Sequence, residues 1–254
     1  MTRPSFLDAP HGARIAYHRT PGASPGVIFL GGFRSDMTGT KATRLEAWAK
    51  ARDRAFLRFD YSGHGASSGR FVDGAITDWL ADALAALDQL TQGPQILVGS
   101  SMGGWIALLA ARERPRRIAG LVLIAPAPDF TERLMWDILP PESRRDILEK
   151  GFSERPSAYD SEPDIITRRL IEDGRHHLLL DGPVAVTCPV RILHGMADAD
   201  VPWRLSIELV EKLASRDVEL TLVKDGDHRL SGEADLARLE RTLDALLAGP
   251  AAAE

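Results

Sequence analysis

The chain has 254 residues, of which 44% are apolar and 26% are charged, and its formal net charge is -5. This balance is typical of a soluble globular protein with a sizeable core, and it argues against a nucleic-acid partner because basic residues are matched by acidic ones. Cys188 is the single cysteine, so the sequence excludes an intramolecular disulfide and a cysteine-rich zinc site.

No stretch of the sequence has the composition of a membrane-spanning or targeting segment. No uninterrupted apolar run approaches the roughly 20 residues that span a bilayer, and residues 1–19 lack the apolar centre of a signal peptide. A strand is predicted within this stretch, at 13–18, which also argues against a transit peptide. We therefore expect a cytoplasmic protein without a membrane span.

Strand-like and helix-like patterns then alternate along the chain and are joined by short turns. After the strand at 13–18, apolar runs predict strands at 27–30, 55–61, 95–100, 120–127, 190–195 and 218–226. Several of these runs are continuously apolar, as strands buried on both faces should be. Apolar residues at three- and four-residue steps predict helices within 76–90, 205–213 and 236–246. The alternation predicts an α/β fold, with a mostly parallel, doubly wound sheet and helices on both faces.

The alternation of strand and helix patterns is interrupted from about 128 to 187. This interruption predicts a small lid-like insertion in a single domain that spans 1–254. It shows no clear strand, and two adjacent prolines interrupt it. Its apolar cluster includes Met135, Trp136 and Leu139. These side chains either root the insertion on the core or line a pocket for an acyl chain.

The stretch Gly99-Ser100-Ser101-Met102-Gly103 predicts a nucleophilic serine. It fits the pattern Gly-X-Ser-X-Gly only with Ser101 at the centre, between a predicted strand and the helical pattern GWIALLAARER. At such a turn the nucleophile has a strained backbone, and the residues two before and two after it must be small, as Gly99 and Gly103 are. Ser100 then points away from the site.

A serine hydroxyl needs a base to take its proton, and the sequence offers His228 for that role. His228 lies in KDGDHRLS, between the last predicted strand and the final helix. The imidazole needs an acidic partner, and Asp198 in HGMADADVPW is the first choice, with Asp200 as the alternative. Asp227 is a poorer candidate, because neighbouring residues in a loop seldom face each other. The order Ser, Asp, His along the chain fits hydrolases that are built on an α/β sheet.

Four motifs carry a resemblance to a known family: GGF at 31–33, GSSMGG at 99–104, HGMADADVP at 194–202 and GDH at 226–228. In this order they resemble the α/β-hydrolase superfamily over nearly the whole chain, and they imply the α/β-hydrolase fold. Together with FDYSGHGASSG at 59–69, they are similar to the branch of mitochondrial palmitoyl-protein thioesterases and acyl-glucuronide esterases. The resemblance implies a small-molecule or acylated substrate.

Two backbone amides are predicted to stabilise the oxyanion of the reaction. Met102 follows the nucleophile at a helix N-terminus, where free N–H groups and the helix dipole favour negative charge. The second donor, which the resemblance implies, is the amide of Phe33. Many relatives have His-Gly where this chain has Gly31-Gly32, but the donor is a backbone group and survives that difference.

The remaining histidines and glycine-rich loops give weaker indications of function. His64 is expected in a tight turn, with contact to substrate as the alternative, and His194 is expected at a strand end beneath the loop of Asp198. The sequence has no metal-binding helix pattern, no P-loop lysine and no dinucleotide-binding glycine pattern. We therefore predict no metal, no cofactor and no nucleotide site.

These residues together predict a serine hydrolase that cleaves carboxylic esters or thioesters through an acyl-enzyme. Ser101 would attack, His228 would carry the proton and Asp198 would orient His228. Two alternatives remain open: a ligand-binding protein that keeps the pocket without turnover, and a hydrolase of a different bond class, because one fold can serve many chemistries.

Overall fold

The computed structural model describes residues 3–155 and 164–249, and its centre is an eight-stranded sheet. The strands of the described chain are β1 (Ser5–Asp8), β2 (Arg14–Thr20), β3 (Ala23–Leu30), β4 (Arg54–Phe59), β5 (Gln95–Ser100), β6 (Ile118–Ile124), β7 (Phe152–Arg155), β8 (Asp164–Thr167), β9 (Val190–Gly195) and β10 (Val218–Val223). The central sheet has the order β1-β2-β4-β3-β5-β6-β9-β10. Strand β2 pairs antiparallel with β1 and β4, and the other neighbours pair in parallel.

Helices cover the sheet on both faces. The helices are α1 (Thr40–Ala51), α2 (Ile76–Leu90), α3 (Met102–Glu113), α4 (Pro141–Lys150), α5 (Arg168–Gly174), α6 (Arg204–Lys212) and α7 (Glu233–Ala248). Shorter helical turns lie at Phe71–Asp73, Pro115–Arg117, Thr131–Met135, Trp136–Ile138 and Arg175–His177. Within the described ranges, the helices lack the length and apolarity needed to cross a membrane.

The apolar side chains of the strands alternate between two separate cores. In β3, Ile28 and Leu30 join a large core that also holds buried residues of α2, α3 and α6. Val27 and Phe29 point the other way and join a second core with α1 and α7. Because successive side chains of a strand point to opposite faces, a continuously apolar strand supplies both cores. This arrangement confirms the predicted α/β architecture, a doubly wound and mostly parallel sheet with helices on both faces.

Strand bounds agree with the sequence predictions at the centre of the sheet and differ at several ends. Strands β5 and β9 have the predicted bounds of 95–100 and 190–195. Strand β6 ends three residues before the predicted end, because Ala125 takes a positive φ of 42° that a strand cannot continue. Strand β10 ends at Val223, where the Gly226 amide donates to the Val223 carbonyl and closes a turn.

The sequence predictions omitted strand β1, helix α1 and the pair β7–β8. The expectation of no strand in the insertion is wrong, because β7 and β8 pair antiparallel there. Each of these two strands has four residues and mixes polar with apolar side chains, so neither shows a clear period. Helix α1 buries Ala42, Leu45, Trp48 and Ala49, but charged residues between them dilute the pattern.

The predicted insertion corresponds to the segment between β6 and β9. It contains α4, the β7–β8 pair and α5, and its buried residues Phe130, Ile147, Ile166 and Leu170 join the large core. Residues 156–163 of the predicted insertion lie outside the described residues. The extent of a single domain over 1–254 and a lid function of this segment stay predictions.

Candidate active site

Ser101 lies at the sharp turn between β5 and α3, with a strained backbone. Its φ is 54° and its ψ is -117°, a conformation that costs a non-glycine residue about 1–3 kcal/mol. Three backbone hydrogen bonds hold it: the Ser101 amide donates to Ile124 O at 2.9 Å, and the Ser101 carbonyl accepts from Gly104 at 2.9 Å and Ala127 at 3.1 Å. The turn raises the serine side chain above the end of the sheet, as a nucleophile elbow does.

Gly99 and Gly103 are the positions at which the turn requires glycine. A Cβ on Gly99 would collide with the backbone of Gly103, and a Cβ on Gly103 would collide with the carbonyl oxygen of Leu30. Helix α3 therefore approaches the ends of β5 and β3 more closely than any side chain allows. This close approach agrees with the small residues that the sequence pattern demands on either side of Ser101.

The Gly103→Ala variant is expected to lose about 1–3 kcal/mol or more of its free energy of unfolding, because the new methyl group overlaps backbone atoms that cannot move aside. Urea denaturation followed by circular dichroism would measure the loss. Gly182→Ala is a matched control, because a Cβ at Gly182 has no atom within 4 Å. Equal midpoints for Gly103→Ala and wild type would contradict this account of the turn.

His228 joins Ser101 and Asp198 in one hydrogen-bonded row. Its Nε2 lies 3.1 Å from Ser101 Oγ, and its Nδ1 lies 2.8 Å from Asp198 Oδ2. The carboxylate accepts from Nδ1–H, so Nε2 is free to accept the serine proton in the neutral ring. The structure thus brings together the three residues predicted from sequence. The alternative acid, Asp200, is exposed, and its amide donates to Asp198 Oδ1 at 2.9 Å.

Close contact between two loops places Asp198 next to His228. A Cβ on Gly195, the last residue of β9, would collide with the carbonyl oxygens of Gly226 and Asp227. The loops are also tied by backbone bonds, including Ala197 N to Gly226 O at 3.0 Å. Because β9 and β10 are parallel neighbours, the loops after their carboxyl ends lie at the same edge of the sheet, and these loops contain Asp198 and His228.

Asp198 is held as a carboxylate by the groups around it. Its side chain is fully buried, which by itself would raise its pKa. Hydrogen bonds from His194, His228 and the Val201 amide outweigh burial and hold the pKa of Asp198 well below its usual range. An ionised Asp198 can therefore stabilise positive charge on His228.

The two predicted oxyanion donors lie next to the serine. Met102 is the first residue of α3, where backbone N–H groups have no acceptor within the helix. The loop that contains Phe33 also passes close to the nucleophile, because a Cβ on Gly32 would lie 3.4 Å from Ser101 Cβ. The role of both amides as oxyanion donors stays a prediction.

Aromatic packing and one histidine hold the Phe33 loop in place. The Phe33 ring makes edge-to-face contacts with Phe71, Trp79 and Phe130, at centroid distances of 4.8, 5.8 and 5.5 Å. Buried His64 accepts from the amide of Arg34 at 3.3 Å. His64 thus lies in the expected tight turn, and its ring supports the residue that follows Phe33, a role that the sequence did not reveal.

Lys41 in α1 braces the histidine loop, because its Nζ donates to the carbonyl oxygen of Arg229, the residue after His228. Burial lowers the pKa of Lys41 to about 8, against an opposing effect of Asp227. The unfolded chain keeps this proton up to a pKa of about 10.4. Between pH 8 and 10 the unfolded state therefore binds more protons at this site than the folded state, so Lys41 makes stability rise with pH there.

Replacement of Lys41 by methionine should remove this pH effect. We expect the wild-type minus Lys41→Met difference in Tm to become more positive between pH 7.5 and 9.5, in thermal unfolding followed by circular dichroism. Lys224→Met, at an exposed lysine, controls for loss of a positive charge. A difference that is constant or falls over this range would refute the assignment.

The three residues proposed for an acyl pocket occupy different environments. Met135 and Leu139 are buried in the large core, at 5% and 7% exposure. The half-buried Trp136 ring makes cation–π contacts with the guanidinium groups of Arg144 and Arg175, which lie 5.6 and 4.9 Å from its centroid. Met135 and Leu139 thus pack the insertion against the core, whereas the two arginines at Trp136 belong to the insertion itself. A pocket role for the three side chains stays a prediction.

One group of side chains in the described ranges has the spacing of metal ligands, and it overlaps the row already described. Potential ligand atoms of Asp198, Asp200 and His228 lie within 4.8 Å of one another. The 2.8 Å hydrogen bond between His228 and Asp198 occupies the space between those two groups.

Known proteins are similar to this chain in sequence and in fold. Residues 27–242 match the model of the Alpha/beta hydrolase family. The chain belongs to the α/β-hydrolase family. This α/β-hydrolase is 43% identical to "Palmitoyl-protein thioesterase ABHD10, mitochondrial" of Mus musculus, over 96% of this chain and 82% of the relative.

Two solved structures of relatives superimpose closely on this α/β-hydrolase. "Alpha/beta hydrolase domain-containing protein 10 from mouse" is 41% identical with a TM-score of 0.91, over 98% of this chain and 100% of that chain. A putative hydrolase from Agrobacterium vitis S4 is 46% identical with a TM-score of 0.91, over 96% of this chain and 98% of that chain. The resemblance stated from the sequence motifs is confirmed.

The comparisons correct one prediction from the sequence. The expectation of a cytoplasmic protein is wrong, because the thioesterase relatives from mouse and human, each aligned over 96% of this chain, are named as mitochondrial. That expectation came from the absence of a signal-like apolar segment in residues 1–19 and from the strand predicted at 13–18 as an argument against a transit peptide. Such an absence carries no information about a mitochondrial address, which is read from amphipathic, arginine-rich segments rather than apolar ones.

Proposed function

We propose that this α/β-hydrolase is a serine thioesterase and esterase that releases acyl groups through an acyl-enzyme. The observation that carries the proposal is the row Ser101–His228–Asp198, with 3.1 and 2.8 Å between successive partners on a strained serine turn. A ligand-binding protein has no need of a base within hydrogen-bonding distance of a strained serine.

The proposed reaction has two steps, formation of the acyl-enzyme and its hydrolysis. His228 Nε2 takes the hydroxyl proton as Ser101 Oγ attacks the acyl carbonyl carbon, and the oxyanion forms towards the amides of Met102 and Phe33. The thiolate or alkoxide leaves with the proton from His228, and the acyl group remains on Ser101. A water molecule then gives its proton to His228 and attacks the acyl carbon, and as the bond to Ser101 Oγ breaks, His228 returns that proton to Oγ, which releases the acid and restores the serine.

The substrate class is inferred from the relatives. The mouse relative is named a palmitoyl-protein thioesterase, and the chain covers 82% of its length at 43% identity. We therefore propose acyl thioesters as the substrates, with carboxylic esters of the same acyl groups attacked by the same chemistry. A thiolate is the better leaving group, so the thioester should react faster where acylation limits the rate.

A substrate panel tests this proposal. The panel contains p-nitrophenyl esters and acyl-cysteine and acyl-CoA thioesters of graded chain length, measured with wild type and with Ser101→Ala. We expect turnover of both ester types by wild type only, with a chain-length optimum that reports the depth of the acyl pocket. Absence of turnover together with no labelling of Ser101 by a fluorophosphonate would favour the ligand-binding alternative.

A further inference from the structure

His194 lies in β9 directly beneath Asp198, and its side chain is completely buried. Its Nε2 lies 3.1 Å from Asp198 Oδ2 and 3.0 Å from the Val201 carbonyl oxygen, and its Nδ1 lies 2.7 Å from Ser206 Oγ. Both neighbours of Nε2 are acceptors, so Nε2 carries a proton and donates to them. In the neutral ring, Nδ1 then accepts a hydrogen bond from the hydroxyl of Ser206. The hydrogen bonds thus select one tautomer.

Asp198 is shared by two imidazole rings. Its Oδ2 accepts from His228 at 2.8 Å and from His194 at 3.1 Å, while its Oδ1 accepts from the amides of Asp200 at 2.9 Å and Val201 at 2.8 Å. The backbone bonds fix one oxygen, and His194 fixes the other on the side away from His228. Rotation of the carboxylate would break bonds at both oxygens, so its plane is fixed relative to the His228 ring.

We propose that His194 is a positioning residue for the hydrolysis proposed above, that Asp198 and the Val201 carbonyl set its tautomer, and that Ser206 holds the other ring nitrogen in place. This inference rests on the proposed function. A neutral His194 holds Asp198 without cancelling its charge, so the full negative charge remains available to the His228 imidazolium that forms during attack. A small displacement of Asp198 would turn the His228 ring away from Ser101, and such displacements cost large factors in rate.

Two amide variants separate this role from packing. In His194→Gln, the side-chain amide reaches the position of Nε2 and can still donate to Asp198. In His194→Asn, the amide reaches only the position of Nδ1, so the bond to Ser206 is kept and the bond to Asp198 is lost. We expect His194→Asn to lower kcat about 10- to 100-fold with KM within about twofold, and His194→Gln to stay within about threefold of wild type.

The rates must be expressed per labelled active site. Titration with a fluorophosphonate counts folded, competent enzyme, and thermal unfolding records the stability of each variant. If His194 served packing alone, kcat per labelled site would be equal in all three proteins. That result, or a His194→Gln variant as slow as His194→Asn, would overturn the inference. Wild type that neither labels nor hydrolyses would instead overturn the proposed function.

Nuclear magnetic resonance of the wild-type protein gives a test that does not depend on variant folding. Two-bond 15N–1H correlation of the histidine rings should show His194 with a protonated Nε2 and an unprotonated Nδ1 at pH 7. A ring protonated on Nδ1 would contradict the assignment. The variant Ser206→Ala should lower kcat about 3- to 10-fold with unchanged KM, because Nδ1 of the buried ring loses its hydrogen-bond partner and the ring is held less firmly, and an unchanged kcat would refute the role of Ser206.

Discussion

Replacement of Ser101 by alanine is expected to lower kcat about a million-fold, because it removes the hydroxyl that lies 3.1 Å from His228 Nε2, and the acyl-enzyme cannot form without it. The fold should be kept, since the smaller side chain fits a turn whose backbone bonds do not involve the hydroxyl. Initial rates with p-nitrophenyl butyrate and a palmitoyl thioester measure the loss. A fluorophosphonate should label wild type and fail to label this variant.

Ser100→Ala is the matched control. Ser100 is the last residue of β5 and pairs with Ile124 of β6, and its side chain is buried at the sheet end. We expect this variant to keep kcat within about tenfold of wild type and to be labelled. If Ser100→Ala were inactive and Ser101→Ala active, the assignment of the nucleophile would be reversed.

Replacement of Asp198 by asparagine is expected to lower kcat about ten-thousand-fold through the tautomer of His228. The amide oxygen of the new side chain would take the place of Oδ1, since two backbone N–H groups point there. Its NH2 group would then face the Nδ1–H of His228. Relief of that clash requires the proton on Nε2, where it blocks acceptance of the Ser101 proton.

The control for this variant is Asp200→Asn. Asp200 contacts Asp198 through its backbone amide, which the substitution does not change. We expect Asp200→Asn to keep kcat within about threefold of wild type, as measured by the same rates per labelled site. Should Asp200→Asn show the large loss while Asp198→Asn stays active, Asp200 would be the acid.

Sequence patterns located most of the sheet because its strands are buried on both faces. The apolar stretch within QILVGS is typical of a strand buried on both faces, and β5 and β9 have the predicted bounds. Elements with weaker apolar patterns were missed. Helix α1 alternates its buried residues with charged ones, and the short strands β7 and β8 are defined by their pairing with each other rather than by their own side chains.

The sequence predicted some residues of the candidate site more specifically than others. Ser101 could be predicted because the constraint is local: two glycines, a strand before and a helix after. Asp198 and His228 could be placed only by their positions after strands. The choice between Asp198 and Asp200 stayed open, because side-chain directions in a loop depend on backbone dihedrals that residue types do not specify. The side-chain roles of His194 and His64 were not predictable for the same reason.

The sequence by itself predicted the register of the serine, most strands of the central sheet and the order of the candidate acid and base along the chain, since these follow from local residue patterns and from their positions in the sequence. Only the tertiary structure decided which carboxylate meets His228 and that His194 shares that carboxylate. It also showed that Met135 and Leu139 lie in the core. The physical reason is that these outcomes depend on close approach of segments far apart in the chain, such as Gly195 to Gly226, which pattern and propensity do not encode.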